Sequence, residues 1–386
     1  MKKTYQIILA GVVINLVSMG IARFAYTPFL PAMLLDGLSL DAAGMIASVN
    51  YVGYLSGAIL SIMIVNVVAQ KWLLRFGMLL CLITSFLMAY SESVIIWAVV
   101  RFFAGVGSAL GMVVGSAFVL KILQKHNEAK KTPIQFAGVG LGIAISGVVS
   151  MLLVSDGDWR LGWISLGVFS LIVTPLAMWI VEHNSDYKIP VEHKIINSDN
   201  KIPPFVWFLF AAYFCEGIGY VVSGTFLPTI INEIAGLKGA GDSIWIVVGL
   251  AAAPSCIFWA MVANKLGSAE AIMLALLVQT VGVIIPVFSD SAFLNLVGAF
   301  LYGGTFLGIV SMTLSFGGRL GDVNPARIIG ILTIAFGAGQ VIGPLYATAL
   351  TQWQGSYDAA LILTCAIILL GWSILWRGRV LLVEKV

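Results

Sequence analysis

Charged residues are scarce in this chain of 386 residues. Only 10% of its residues are charged, whereas 60% are hydrophobic. Ordinary soluble domains carry about 25% charged residues. The composition therefore excludes a soluble globular protein and indicates a chain that passes through a membrane many times.

The residues that usually build catalytic or metal sites are also few. The four cysteines lie in apolar stretches without metal-type spacing, and the three histidines lie in polar segments; these residues are Cys81, Cys215, Cys256, Cys365, His126, His183 and His193. No lysine-containing phosphate loop is present, which argues against ATP as the energy source. We expect no cofactor and no bound metal, and we do not expect an enzyme.

Apolar stretches long enough to cross a bilayer of ~30 Å recur along the whole chain. They predict an all-α polytopic membrane protein with twelve transmembrane helices. The predicted spans are 6–34, 43–68, 72–90, 94–120, 133–154, 161–181, 204–231, 243–263, 269–288, 292–316, 326–351 and 357–376.

The distribution of lysine and arginine supports an even number of spans. If the N-terminus is cytoplasmic, the outer loops contain only Arg160 and Lys238 of the 21 basic residues, and Arg23 and Arg101 lie in the membrane. We therefore expect a multi-pass protein of the cytoplasmic (inner) membrane with both termini in the cytoplasm. The net charge of +3 reflects this topology rather than nucleic-acid binding.

An internal repeat divides the chain into two halves. Residues 20–31, GIARFAYTPFLP, match residues 217–228, GIGYVVSGTFLP, at a shift of 197. The repeat predicts a six-helix bundle in 1–181, a cytoplasmic linker in 182–203 and a second six-helix bundle in 204–386. Parallel halves with a substrate site between them are typical of transporters that work by alternating access.

Several motifs resemble the major facilitator superfamily. They are RFFAGVGSALG at 101–111, FAGVGLGIAISG at 136–147, AFGAGQVIGP at 335–344 and ANKLG at 263–267. GIARFAYTPFLPAM at 20–33, together with GVGLGIAISG, is similar to the YbfB/YjiJ-like branch. The resemblance implies two pseudo-symmetric six-helix bundles and secondary transport, often driven by protons.

The resemblance also implies roles for particular residues. Arg101 stands at the place of the superfamily's helix 4 arginine, which is linked to coupling. Asn264, Lys265 and Gly267 stand in the superfamily's gating loop, although this chain lacks the loop's usual acidic residue.

Arg23 and Arg101 are basic residues deep in predicted helices. At 1.5 Å per residue they fall at similar depths, so two guanidinium groups could share one carboxylate of a substrate. A buried charge usually lines a path or binds something. The alternatives are that Arg23 reaches outward or pairs with Asp36 or Asp41, and that Arg101 ties helix 4 to a neighbour.

Glu216 is the acid deepest in the predicted helices. Burial favours its neutral form and a nearby arginine favours its charged form, so it could take up and release a proton. A structural glutamate is the alternative. Neutral partners for a substrate could come from Tyr26, Asn50, Tyr54, Tyr220 and Gln340, although such groups usually bridge or pack between helices.

These observations predict a proton-coupled secondary active transporter of a small solute, with a small organic anion as the favoured substrate. Proton-driven efflux of amphipathic, drug-like compounds is the alternative, and a channel or a membrane-embedded enzyme is a remote one. The expected partners are the substrate, protons and the lipid bilayer, and we expect a monomer.

Overall fold

A computed structural model describes residues 2–64, 66–154, 157–184, 202–321 and 325–383. Within these ranges twelve helices are long and apolar enough to cross a membrane. They are α1 Lys3–Leu35, α2 Leu40–Met63, α3 Val67–Leu87, α4 Val94–Lys125, α5 Ala129–Val154, α6 Trp159–Asn184, α7 Pro204–Glu233, α8 Gly241–Leu266, α9 Ser268–Phe288, α10 Ala292–Leu320, α11 Arg327–Gln354 and α12 Asp358–Leu382. The chain is an all-α, multi-pass membrane protein, as predicted.

The internal repeat is visible in the way the helices cross. A Cβ atom added at Gly20 would lie 2.5 Å from the Gly142 Cα atom, so only glycine permits this α1–α5 contact. At the same shift of 197, an added Cβ at Gly339 would lie 3.0 Å from the Gly217 carbonyl carbon, where α11 crosses α7. The two halves therefore share both their sequence motif and the close helix crossing that the motif builds.

The boundary between α2 and α3 corrects the predicted spans. The sequence places helix 2 at 43–68, but α2 ends at Met63 because Asn66 caps the next helix, its Oδ1 atom accepting from the Val68 and Ala69 amides. As a consequence Lys71, predicted in a cytoplasmic loop, lies on α3 and is only 5% exposed.

The two halves pack against each other along three pairs of helices. α5 packs against α8, α2 against α11, and the C-terminal part of α1 against α7. We call the end of the bundle at which α1 begins the proximal face, and the end at which α1 finishes the distal face. The proximal face is the one predicted to be cytoplasmic. Most of the predicted linker, 185–201, and residues 384–386 lie outside the described residues, so the division at 182–203 stays a prediction.

Candidate substrate and proton sites

Helix α1 is interrupted beside Arg23. A π-helical turn covers Leu16–Ile21, and the α-helix resumes at Tyr26. Pro28 has no N–H group, so it cannot donate to the Phe24 carbonyl, which instead accepts from the Thr27 amide at 3.2 Å. The Arg23 carbonyl, the usual partner of Thr27 in an α-helix, is thereby left for another donor.

Arg101 supplies that donor from α4. Its Nη1 atom donates to the Ala22 carbonyl at 2.7 Å, and its Nη2 atom donates to the Arg23 carbonyl at 2.8 Å. The guanidinium also lies 5.1 Å from the centre of the Tyr26 ring. Arg101 thus holds the interrupted segment of α1 against α4, as in the alternative that it ties helix 4 to a neighbour.

Tyr26 and Asn50 lie around Arg101 in the same half. The Tyr26 hydroxyl donates to the Ala43 carbonyl of α2, and Asn50 Nδ2 donates to the Arg101 carbonyl at 2.7 Å. Asn50 Oδ1 is buried without a hydrogen-bond partner. These contacts connect α1, α2 and α4, and a direct role of either residue in substrate binding stays a prediction.

Arg23 points toward the other half of the protein. Its Nη2 atom donates to the Tyr220 hydroxyl at 2.8 Å, and the same hydroxyl accepts from Gln340 Nε2 at 2.6 Å. The guanidinium lies 4.3 Å and 4.8 Å from the ring centres of Tyr54 and Tyr51. We call these five residues the central cluster; it joins α1 and α2 of one half to α7 and α11 of the other.

Two polar atoms of the central cluster have no partner. Arg23 Nε and Gln340 Oε1 are buried without a hydrogen bond, and an unpaired buried polar atom costs about 1–3 kcal/mol. We call the surface along which α1 and α2 of the first half meet α7 and α11 of the second half the seam. A donor and an acceptor are thus both available at the seam. A small polar solute could satisfy either of them.

A stack of aromatic rings runs through the second half beside the cluster. The Tyr220 ring lies between Phe336, at 5.2 Å, and Phe306, at 5.8 Å. The stack continues to Tyr213 on the Phe336 side and to Tyr302 on the Phe306 side. Tyr302 also donates its hydroxyl to the Tyr220 carbonyl at 2.9 Å, which fixes α10 against α7.

Glu216 lies apart from the arginines, inside the second half. It is 1% exposed, and Gln279 Nε2 of α9 donates to both of its carboxyl oxygens, at 2.9 and 3.0 Å. Gln279 is fully buried, and its Oε1 atom has no partner. Sequence reasoning named Glu216 but could not pair it with Gln279, because 63 residues separate the two.

No carboxylate lies within salt-bridge distance of Arg23 or Arg101 in the part of the chain that the structure describes. The alternative in which Arg23 pairs with Asp36 is wrong, because Asp36 accepts from Trp159 Nε1 and lies 3.7 Å from Arg160. Two buried positive charges therefore have only neutral partners. The same part of the chain contains no group of three or more His, Cys, Asp or Glu side chains that could hold a metal ion.

The residues of the predicted gating loop are exposed at the end of α8: Asn264 and Lys265 lie in its last turn, and Gly267 lies between α8 and α9. Gly267 has φ +96°, a conformation that favours glycine, and it ends α8. Its neighbour Ser268 accepts from Arg319 Nη2 of α10 at 2.6 Å. This contact lies within the second half, and the gating role of Asn264, Lys265 and Gly267 stays a prediction.

The arrangement of two six-helix halves around a polar seam agrees with the comparisons to known proteins. A family model described as "Uncharacterised MFS-type transporter YbfB" matches residues 15–376. The chain belongs to this family. It is therefore a membrane transporter of the major facilitator type and not an enzyme, which confirms the predicted family and fold class.

Curated relatives and solved structures support the same assignment. The chain is 23% identical over 388 residues to "Probable anion transporter 1, chloroplastic" of Oryza sativa subsp. japonica, covering 90% of this chain and 71% of the relative. It is 22% identical to "Probable nitrate transporter NarT" of Staphylococcus epidermidis, covering 82% of each chain. In fold it is similar to the nucleoside transporter NupG, with a TM-score of 0.70, 12% identity and coverage of 98% and 99%. It is also similar to a D-xylose-proton symporter, with a TM-score of 0.74, 12% identity and 97% coverage of both chains.

Sequence reasoning missed some contacts at the seam. Thr27 Oγ1 donates to the Gly224 carbonyl at 2.6 Å, and Tyr51 and Thr225 share a hydrogen bond of 3.1 Å between their hydroxyls. Both threonines lie in the repeated segments 20–31 and 217–228. The repeat itself was the signal that could have found them.

Proposed function

We propose that this chain is a proton-coupled secondary transporter of a small organic anion, and that Arg23 is the residue that binds the anion. The observation that carries the proposal is the position of Arg23, buried at the seam between the halves with neutral partners. A buried guanidinium without a counter-charge favours a carboxylate or a similar anion as its missing partner. The printed names of two relatives, an anion transporter and a nitrate transporter, support the same charge.

The contact between Arg23 and Tyr220 suggests how binding could be coupled to movement. Arg23 belongs to the first half and Tyr220 to the second, and their hydrogen bond holds the halves together. An anion that binds Arg23 competes with the neutral phenol, because a charge-assisted hydrogen bond is the stronger one. In this proposal the anion replaces a contact between the halves and thereby favours their relative movement.

Thr27 and Gly44 extend the seam toward the distal face. Thr27 contacts Gly224 of α7, and a Cβ atom added at Gly44 would lie 2.7 Å from Thr348 Cγ2 of α11. These contacts support a state in which the distal side is closed. Alternating access then requires that they separate when the distal side opens.

Glu216 is our candidate for the coupling proton. It has no basic partner in the described part of the chain, and Gln279 donates to the carboxylate form. The unpartnered Gln279 Oε1 atom could accept from the protonated form after the amide rotates by 180°. The pair could thus hold the carboxyl in either protonation state without water.

The second candidate function is proton-driven efflux of amphipathic compounds. The stack of aromatic rings from Tyr213 to Tyr302 favours it, because flat apolar molecules bind well against aromatic faces. The two candidates differ in the charge of the solute. Arg23 favours the anion.

Transport by purified protein in vesicles tests the proposal. We would impose an inward proton gradient and follow uptake of labelled lactate, benzoate and benzenesulfonate, the last of which crosses lipid poorly because it remains ionised. Arg23→Lys keeps the charge but loses the planar set of donors, so uptake should fall at least about tenfold while the protein still folds. Uptake that is unchanged in both Arg23→Lys and Arg23→Gln would contradict the proposal.

A further inference from the structure

A cavity of about 470 Å³ opens between the two halves at the distal face. It lies beyond the contacts that Thr27 and Tyr51 make with α7, and its walls come from both halves. One wall is formed by the ends of α1 and α5. The other is formed by the end of α7, the turn after it and the start of α8.

The two walls differ in chemistry. The wall from the first half is mostly apolar; it includes Pro28, Pro31, Leu34, Leu35 and Val154. Leucine side chains at this wall are half-buried to exposed, with Leu35 89% exposed. A ligand with a hydrophobic body would cover this apolar surface.

The wall from the second half carries an excess of acid. Glu233 and Asp242 line the cavity together with Lys238, and none of the three forms an ion pair in the part of the chain that the structure describes. Lys238 is exposed and can extend into water, whereas Asp242 is half-buried. The fixed charge of this wall has the opposite sign to that of Arg23.

Thr229, which belongs to the same wall, is a second indication that the cavity binds a ligand. It lines the cavity and is only 5% exposed, and its Oγ1 atom has no hydrogen-bond partner. A threonine hydroxyl can accept from an ammonium group as well as donate to an oxygen. The acidic wall therefore contains a buried acceptor beside its carboxylates.

We propose that the distal cavity binds an amphipathic organic ammonium ion, with its apolar body against α1 and its ammonium group against Asp242, Glu233 and Thr229. This site is separate from the anion site at Arg23 and does not rest on the function proposed above. Because its walls belong to different halves, the ligand holds them in their present arrangement. It therefore inhibits transport by opposing the movement of the halves, and it does so from a site other than Arg23.

Binding of three molecules that share one ring and differ in charge tests the proposal. We would titrate 2-phenylethylamine, 2-phenylethanol and phenylacetate into the purified full-length protein in detergent and measure affinity by calorimetry. The amine should bind at least about tenfold more tightly than the alcohol, since a hydrogen bond from a charged donor is stronger than one from a neutral donor. Equal affinity for the amine and the alcohol would overturn the proposal.

Variants locate the site. Asp242→Asn combined with Glu233→Gln should weaken amine binding at least about tenfold, and Thr229→Val should weaken it less. Asp290→Asn removes an exposed acid between α9 and α10, at the same face but outside the cavity lining, and should change nothing. Loss of amine binding in Arg23→Lys or in Glu216→Gln, with the Asp242 and Glu233 variant unaffected, would place the amine at the seam or inside the second half, respectively, and either result would overturn the proposal.

Discussion

Arg23 and Tyr220 occupy the same position in the two halves of the chain, 197 residues apart, and their side chains contact each other at 2.8 Å. Thr27 and Gly224 are also 197 residues apart, and they share a hydrogen bond of 2.6 Å. Parallel repeats of this kind are related by a pseudo-symmetry axis between the two halves. Equivalent residues of the two repeats can contact each other only where they lie next to this axis. The repeated motif therefore builds the seam of the transporter, and its one arginine places a charge on that axis.

Tyr220→Phe should weaken the contact between the halves. The phenylalanine keeps the ring between Phe306 and Phe336 but removes the oxygen that accepts from Arg23 and Gln340. A hydrogen bond to a charged group contributes about 1.5–3 kcal/mol, so the closed distal side should lose stability of that order. Electron-paramagnetic-resonance distances between spin labels at Leu35 and Lys238, both exposed at the distal face, should show more of an open form.

Tyr302→Phe is the matched control for this variant. It removes a phenol oxygen from the same aromatic stack, but the lost hydrogen bond, to the Tyr220 carbonyl, lies within one half. The distance distribution should therefore stay as in the original protein. An equal shift in both variants would mean that the stack, rather than the Arg23 contact, holds the distal side closed.

Arg101→Lys should destabilise the protein more than a surface substitution does. Arginine donates to two adjacent carbonyls of the interrupted helix, whereas a lysine cannot present the same planar pair of donors. We expect a loss of about 1.5–3 kcal/mol, measured as a lower midpoint of thermal unfolding in detergent. A variant that unfolds at the original temperature yet fails to transport would instead favour a direct role of Arg101 in binding or coupling.

Glu216→Gln should separate exchange from proton-driven accumulation. The glutamine cannot carry a proton, so an imposed proton gradient should no longer drive uptake, while exchange of internal for external substrate continues. Gln279→Leu keeps the carboxyl but removes its buried partner, so the pH at which accumulation is half-maximal should shift in that variant. Accumulation with the original pH profile in Glu216→Gln would leave Glu216 as a structural residue.

The positions of the helices and the seam followed from local signals in the sequence. Hydropathy located all twelve spans, and the repeat around Arg23 marked the surface where the halves meet. The α2–α3 boundary was missed because a single side chain, Asn66, outweighs an apolar run in ending one helix and starting the next. Such a cap depends on two local hydrogen bonds to one side chain, which an average over many residues does not detect.

The partners of the polar residues could not be predicted in the same way. Helical periodicity gives the face on which a residue such as Asn50 lies, but not the atom that its side chain contacts. Arg101 binds backbone carbonyls 78 and 79 residues away, and those carbonyls are available only because Pro28 and the π-helical turn leave α1 irregular. That contact depends on the folded arrangement of α1 and α4 rather than on either segment alone.

Gly142→Ala should disrupt the crossing of α1 and α5. The added Cβ would lie 2.6 Å from the Gly20 Cα atom, and backbone cannot move aside as a flexible side chain can. Overpacking of this kind costs about 1–3 kcal/mol, which should appear as a lower unfolding midpoint and a lower yield of folded protein. Gly304→Ala is the control, since nothing lies within 4 Å of its added Cβ, and it should be close to neutral.

The predicted orientation of the protein in the membrane can be tested by labelling with a maleimide that does not cross lipid. The basic residues predict that the linker and both termini are cytoplasmic, so a cysteine at Ser198, outside the described residues, should react only after the cells are opened. A cysteine at Leu35, exposed at the distal face, should react in intact cells. The native cysteines are all buried, so their background should be low. Labelling of Ser198→Cys but not Leu35→Cys in intact cells would reverse the predicted topology, and with it the side from which the distal cavity is reached.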